Sequence, residues 1–259
     1  MKTILILGSG PDVLAARAWP RAPFTTILAI NNAWQVRPDW TILIHPEDFP
    51  PERRPRRIAP QQRIVTAADY VPAQNRLGGF VYAGGTMAFT ASYWALDALR
   101  PRLIAYLGCD MVYPKGNLTH FYGTGTADPL RDDISLRSLE AKSARLMALA
   151  ARQGCALVNL SQSASRLVFP RARLADLSRP IAPGPVDPAA MGAALRQEAA
   201  LGYLVPSGRY WEDPTEFDTA ALDGIDSLWR ESVADCAFKS GLPCETTAQD
   251  RPLAAHRCG

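Results

Sequence analysis

The chain has 259 residues, 47% of them hydrophobic and 20% charged, with a formal net charge of +3. That length can bury a substantial core, as one large domain or one domain plus an appendage, and the composition excludes wholesale disorder. The charge is too small to point to nucleic acid by itself.

Thr3 to Leu7 is an unbroken β-branched and leucine run, the pattern of a strand buried on both faces of a parallel sheet. It leads straight into a glycine turn, with no small-residue cleavage pattern, so it reads as a first strand rather than a signal peptide. Gly8, Ser9 and Gly10 form that turn, and a helix-like segment, Val13 to Trp19, follows. Strand, glycine turn and helix is an arrangement that cradles phosphate, because backbone N–H groups approach an anion and the helix dipole favours it. The fingerprint is partial: Val13 stands where the third glycine of GxGxxG belongs.

Thr26 to Ile30 predicts a second strand, closed by Asn31 and Asn32. Their amides suit contacts to a base or ribose and equally suit capping of the next turn. Trp40 to Ile44 predicts a third strand, followed by His45, Glu47 and Asp48. Catalysis by His45 and a simple proline-rich turn are both open readings there. Arginines 53, 54, 56 and 57 are interleaved with prolines and read as a solvated loop, with an anion-binding patch as the alternative. Arg63 to Thr66 predicts a fourth strand, and Gly78 to Tyr82 an edge strand.

Gly84 and Gly85 precede Thr86, where a helix is expected to run to Leu99 with Met87, Ala91, Trp94, Ala95 and Ala98 facing the core. Leu103 to Leu107 predicts a central strand that ends in Gly108, Cys109 and Asp110. Beyond it, residues 112–133 form a long loop carrying Tyr113, Lys115, Asn117, Thr119, His120 and Tyr122. Loops of this length in compact domains tend to be functional or mobile, and open α/β sheets place ligands just past the carboxyl ends of their strands. Asp132 and Asp133 then introduce a helix, Ile134 to Arg152, with the acids at its positive end. Ala156 to Leu160 predicts the last strand, and the serines at 161, 163 and 165 suit either helix capping or ligand contact.

After Pro170 the character changes: prolines at 180, 183, 185 and 188 mark a linker, and helical patterns follow at 188–201 and 218–233. The expected fold class is therefore α/β, a Rossmann-like doubly wound, mostly parallel sheet with a small C-terminal helical appendage. The expected division is a nucleotide-sugar-binding domain at 1–170, a linker at 171–190 and the appendage at 191–259.

Five cysteines (Cys109, Cys155, Cys236, Cys244, Cys258) show no CxxC spacing, and an odd number is a poor disulfide framework. A reducing, cytoplasmic compartment is expected. No stretch approaches the ~20 apolar residues of a membrane span, so any membrane role would be peripheral and from the inner face. Asp110 stands alone after its strand and Asp132-Asp133 opens a helix, so no metal site is expected.

The landmarks Gly8-Ser9-Gly10-Pro11, Asn31-Asn32, Gly84-Gly85-Thr86, Gly108-Cys109-Asp110-Met111-Val112-Tyr113 and Asn159-Leu160-Ser161 occur in an order that resembles the bacterial lipooligosaccharide sialyltransferases and the motility-accessory-factor-like proteins related to them. The likeness spans about residues 3 to 168, in landmarks rather than continuous identity. It implies a Rossmann-like domain that takes a CMP-linked donor sugar, inverts the anomeric centre without a metal or other cofactor, and acts in lipopolysaccharide biosynthesis on a glycan or lipid-linked surface acceptor. The family has Asn where this chain has Ser9.

By that resemblance Asn31 or Asn32 contacts the nucleotide, Tyr113 and Tyr122 hold the donor phosphate as it leaves, and His120 is the general base. Gly8, Ser9, Gly10, Gly84, Gly85, Thr86 and Asp110 complete the expected donor site. Two other expectations stand beside this one: a pterin pyrophosphokinase-like, Mg²⁺-dependent enzyme, and a non-catalytic nucleotide- or glycan-binding module. Self-association remains open.

Overall fold

The computed structural model describes residues 2–113, 119–123, 131–213 and 216–234. Lys115, Asn117, Cys236, Cys244 and Cys258 lie outside these residues, as do parts of the 112–133 loop and of the 191–259 segment.

Six parallel strands form one sheet: β1 (Thr3–Leu7), β2 (Thr26–Ile30), β3 (Ile42–Ile44), β4 (Arg63–Val65), β5 (Leu103–Leu107) and β6 (Ala156–Asn159). Their order is β4-β3-β2-β1-β5-β6. The chain winds outward from β1 in one direction, then returns and winds outward in the other, so the topological switch point lies between β1 and β5. This is a Rossmann-like α/β sheet. Crevices at such a point, past the carboxyl ends of the strands, are where this architecture takes ligands.

Alternation along each strand splits the core in two. Ile4 and Ile6 face one side with Phe89, Trp94 and Leu146. Leu5 and Leu7 face the other with Val13, Trp40 and Leu177. The first face is covered by α1 (Ala67–Asn75), α2 (Phe80–Ala83), α3 (Met87–Leu99) and α4 (Leu139–Arg152). Outside α4 lie α5 (Pro188–Leu201) and α6 (Thr219–Glu231), whose Ala194, Leu222, Ile225 and Trp229 join the same apolar core. The second face is covered by 3-10 turns, among them Pro11–Ala18, Asn31–Gln35 and Leu174–Ser178. The expected helix after β1 is thus a 3-10 helix. Pro11 opens it, Pro20 stands just past its end, and Val13 N–H bonds to Gly10 C=O at 3.0 Å.

One expected element is overturned. Residues 80–83 of the proposed edge strand are a short helix, because Gly78 and Gly79 adopt φ of +105° and +82° and turn the chain out of an extended path. Ala83 and Gly84 N–H then bond back to Gly79 and Phe80 C=O at 3.1 and 2.9 Å. A four-residue apolar run carries no period that separates strand from helix. Thr66, expected as a strand residue, instead caps α1 with Asp69 in a capping box. The helix expected from Ile134 begins as a 3-10 turn, and α4 starts only after Ser138, whose Oγ accepts from Ala141 N–H at 3.2 Å.

Among the described residues no helix is long and apolar enough to cross a membrane.

Candidate functional site

The turns after β1 and β5 meet at the switch point. Gly8 N–H donates to Leu107 C=O at 2.9 Å and Gly10 N–H to Gly108 C=O at 2.8 Å. A Cβ on Gly8 would lie 2.3 Å from Gly108 O, so only glycine permits this approach. The amides of Gly8 and Gly10 are thereby spent within the fold. Gly8→Ala is expected to lower stability by about 1–3 kcal/mol through backbone displacement, read as a lower denaturation midpoint.

Asp12 further closes the first turn. Its carboxylate accepts from Gln162 N–H at 2.8 Å and from Ser163 N–H and Oγ at 3.0 and 2.8 Å, which assigns the turn after β6 a structural partner. Burial pushes its pKa up, but the Ser163 and Gln162 hydrogen bonds and Arg171 outweigh that, so the net shift is downward. A lowered folded-state pKa contributes stability above the ordinary carboxyl value and loses it as pH falls. Stability is therefore expected to decline below about pH 4. Urea midpoints at pH 3 and pH 6 should lie closer together in Asp12→Asn than in the parent.

The loop beyond β5 returns over this junction. Phe121 N–H donates to Ser9 C=O at 2.9 Å, pinning residues 119–123 to the first turn. His120 is 7% exposed. Its ring lies 5.0 Å from Tyr122 and 5.8 Å from Tyr113, centre to centre, and its Nδ1 is hydrogen-bonded to Thr119 Oγ1 at 2.8 Å. The structure thus brings His120, Tyr113 and Tyr122 into one aromatic cluster, on a loop that Phe121 ties to Ser9. Tyr122 is the exposed member, at 45%.

Asp110, just past β5, is buried and accepts from Asn159 Nδ2 at 3.0 Å. Asn159 also donates to Ser165 Oγ, and Ser161 Oγ accepts from Gly108 N–H at 3.0 Å. Asp110 therefore holds β5 and β6 together. Burial pushes the Cys109 thiol well above its usual range and the Cys155 thiol up to about 12, which disfavours the thiolate that a cysteine nucleophile requires.

Asn31 closes β2, next to β1, with φ of +51° and its side-chain Oδ1 buried without a hydrogen-bond partner. Strain and an unpaired acceptor at the end of a strand beside a switch point are features that ligand sites retain. Asn32 is buried alongside.

A second feature lies past the ends of β3 and β4. A cavity of about 850 Å³ is bounded by the β3 turn (Glu47, Asp48), α1, the start of α3 and the 207–212 segment that follows α5. Gly85 lines it. Gly85 N–H donates to Ser135 Oγ at 3.0 Å, and a Cβ there would meet Tyr210 Oη at 2.7 Å. Gly84 and Thr86 serve the helix instead: Gly84 turns at φ +89°, and Thr86 Oγ1 accepts from Phe89 N–H at 3.3 Å. The expected donor set is therefore distributed between the switch point and this cavity, with Gly85 belonging to the cavity.

Asp133 organises one wall. It accepts from Tyr210 Oη at 2.7 Å, Arg131 Nε at 2.9 Å and Ser135 Oγ at 2.6 Å. Burial raises its pKa, yet the Ser135 and Tyr210 hydrogen bonds and Arg131 hold it below the ordinary value. Arg209 crosses to Glu47 at 3.1 Å. Tyr210 and Trp211 carry no sequence signal beyond an aromatic pair in a Gly- and Ser-containing segment, and their place at the sheet end depends on α5 folding back.

No family model, curated protein or solved structure matches the chain. Among the described residues no group of three or more His, Cys, Asp or Glu side chains is placed to hold a metal ion.

Proposed function

We propose that the protein is a glycosyltransferase that moves a sugar from a nucleotide-activated donor, CMP-linked by the sialyltransferase-like resemblance, to a hydroxyl of a surface-glycan acceptor. The observation that carries this reading is the Phe121–Ser9 hydrogen bond, which seats the His120 loop on the switch point of a Rossmann-like sheet. The donor nucleotide occupies the crevice past β1 and β2, with Asn31 and Asn32 toward the base. The unpaired Asn31 Oδ1 supports that placement, since a base amine or ribose hydroxyl supplies the missing donor.

In the transfer, the acceptor oxygen forms its bond to the anomeric carbon from the face opposite the nucleotide, so the centre inverts. His120 takes the acceptor proton. In the tautomer whose single ring proton is on Nδ1, donated to Thr119 Oγ1, Nε2 carries the lone pair that accepts it. The bond to the phosphate breaks with its electron pair leaving on the nucleoside monophosphate, and the Tyr113 and Tyr122 hydroxyls donate to the phosphate as charge grows there.

Incubation with CMP- and UDP-sugars tests the reading through nucleotide release. Release that depends on a glycan acceptor supports it. No release from any donor overturns it in favour of a binding module. Mg²⁺-dependent ATP consumption on a pterin overturns it in favour of a pyrophosphokinase-like enzyme.

A further inference from the structure

Tyr70 and Thr90, both in the lining of the cavity past β3 and β4, are only 6% and 2% exposed. Neither hydroxyl is hydrogen-bonded to another described residue, and neither oxygen is sealed off from solvent, so both are open to the cavity. They leave polar groups unpaired within a space large enough for a small-molecule ligand.

The charge of the lining narrows what that ligand is. Among the described residues of the lining, five carboxylates face two guanidiniums, Arg131 and Arg209. Arg131 is committed to Asp133, and Arg209 to Glu47 and Glu212. Asp48 and Asp132 form no hydrogen bond or close ion pair with another described residue, and Asp132 feels only the more distant charge of Arg137, itself paired with Asp223. The cavity therefore carries an excess of negative charge, which repels a phosphate or a carboxylated sugar and attracts an ammonium group. Carboxylates also accept strongly from ligand hydroxyls. Trp211, 65% exposed, lines the same cavity and offers an indole face to a sugar ring or an ammonium group.

We infer that this cavity binds a short saccharide without negative charge, with amine-bearing sugars preferred. Its role as the acceptor subsite rests on the transferase reading above; the binding itself does not. The same charge keeps the anionic donor at the switch point and out of this cavity, so the two substrates are sorted by electrostatics before they meet.

Isothermal titration calorimetry of the full chain with three probes tests the inference: chitosan trisaccharide, its fully N-acetylated form, and the anionic trisaccharide sialyllactose. The expected order is amine-bearing tightest, neutral next and anionic weakest, with added salt weakening only the amine-bearing probe. Trp211→Ala should weaken chitosan trisaccharide about ten-fold. Thr90→Val, which keeps the side-chain shape, should weaken it about two- to ten-fold by removing one hydrogen-bonding group. Absence of saturable binding by any probe overturns the inference, as does equal binding of sialyllactose or indifference to both substitutions. Nucleotide release without saccharide binding overturns this inference alone. Trp211-dependent saccharide binding with no nucleotide release from any donor supports it and overturns the transferase reading.

Discussion

Replacement of His120 by alanine is expected to lower acceptor-dependent nucleotide release by on the order of 10²- to 10⁴-fold, the usual contribution of a positioned general base. The expectation rests on geometry. The His120 imidazole packs against two tyrosine rings, its Nδ1 is bonded to Thr119, and the adjacent Phe121 amide ties the loop to Ser9. The variant should retain nucleotide binding, because Asn31, Asn32 and the β1 turn are untouched. A turnover unchanged by His120→Ala removes the residue from the chemistry. Tyr122→Phe provides an independent check: loss of one phosphate donor should cost about 10²- to 10³-fold if it stabilises the leaving group.

Glu198→Ala is expected to destabilise the fold by about 3–5 kcal/mol, or a fall in melting temperature of roughly 6–20 °C for a chain of this size. Glu198 in α5 accepts from Arg145 Nε and Nη2 in α4 at 2.7 and 2.8 Å and from Trp229 Nε1 in α6 at 2.8 Å. Arg145 also donates to Tyr93 Oη and to Leu77 C=O, at 2.8 and 2.7 Å, and its guanidinium lies over the Tyr93 and Trp229 rings. Burial pulls the guanidinium toward neutrality, but Glu198 and Tyr93 more than offset this and keep its pKa above the ordinary value. Removing the carboxylate therefore strands a buried positive charge. Replacing the pair together, with Arg145→Met and Glu198→Leu, should recover most of the loss, because two apolar side chains strand no charge. Thermal melts of the single and double variants measure both outcomes.

This cluster bears on the cavity as well as on stability. Glu198 C=O accepts from Tyr82 Oη at 2.9 Å, and Tyr82 Oη accepts from Tyr203 N–H at 3.0 Å. Tyr203 begins the segment that brings Arg209, Tyr210 and Trp211 to the sheet end. Chitosan-trisaccharide binding should weaken in Glu198→Ala at temperatures where its fold persists, whereas the Arg145/Glu198 apolar pair should bind like the parent.

Local pattern was enough to locate the six strands of the parallel sheet, though it also proposed an edge strand at 78–82 that the structure does not form. β-Branched and leucine runs such as Thr3–Leu7 suit a strand covered on both faces. Glycines at 8, 10 and 108 marked the turns after two strands, the first read as a phosphate cradle, and the polar loop after β5 was legible as a candidate site because it follows a central strand. Other features arise from contacts between segments distant in sequence. Phe80–Ala83 became a helix through the positive φ of the glycines before it, which a four-residue apolar run does not encode. The amides of Gly8 and Gly10 are spent on Leu107 and Gly108 rather than held open for an anion, a pairing invisible locally because Gly108 stands 98 positions beyond Gly10. The cavity required Glu47, Tyr70, Thr90, Asp133 and Trp211 to converge from five separate stretches of chain. Sequence periodicity reports which face of an element is buried, but not which distant element buries it, and that pairing is decided by packing and charge compensation at sites such as Arg145 and Glu198.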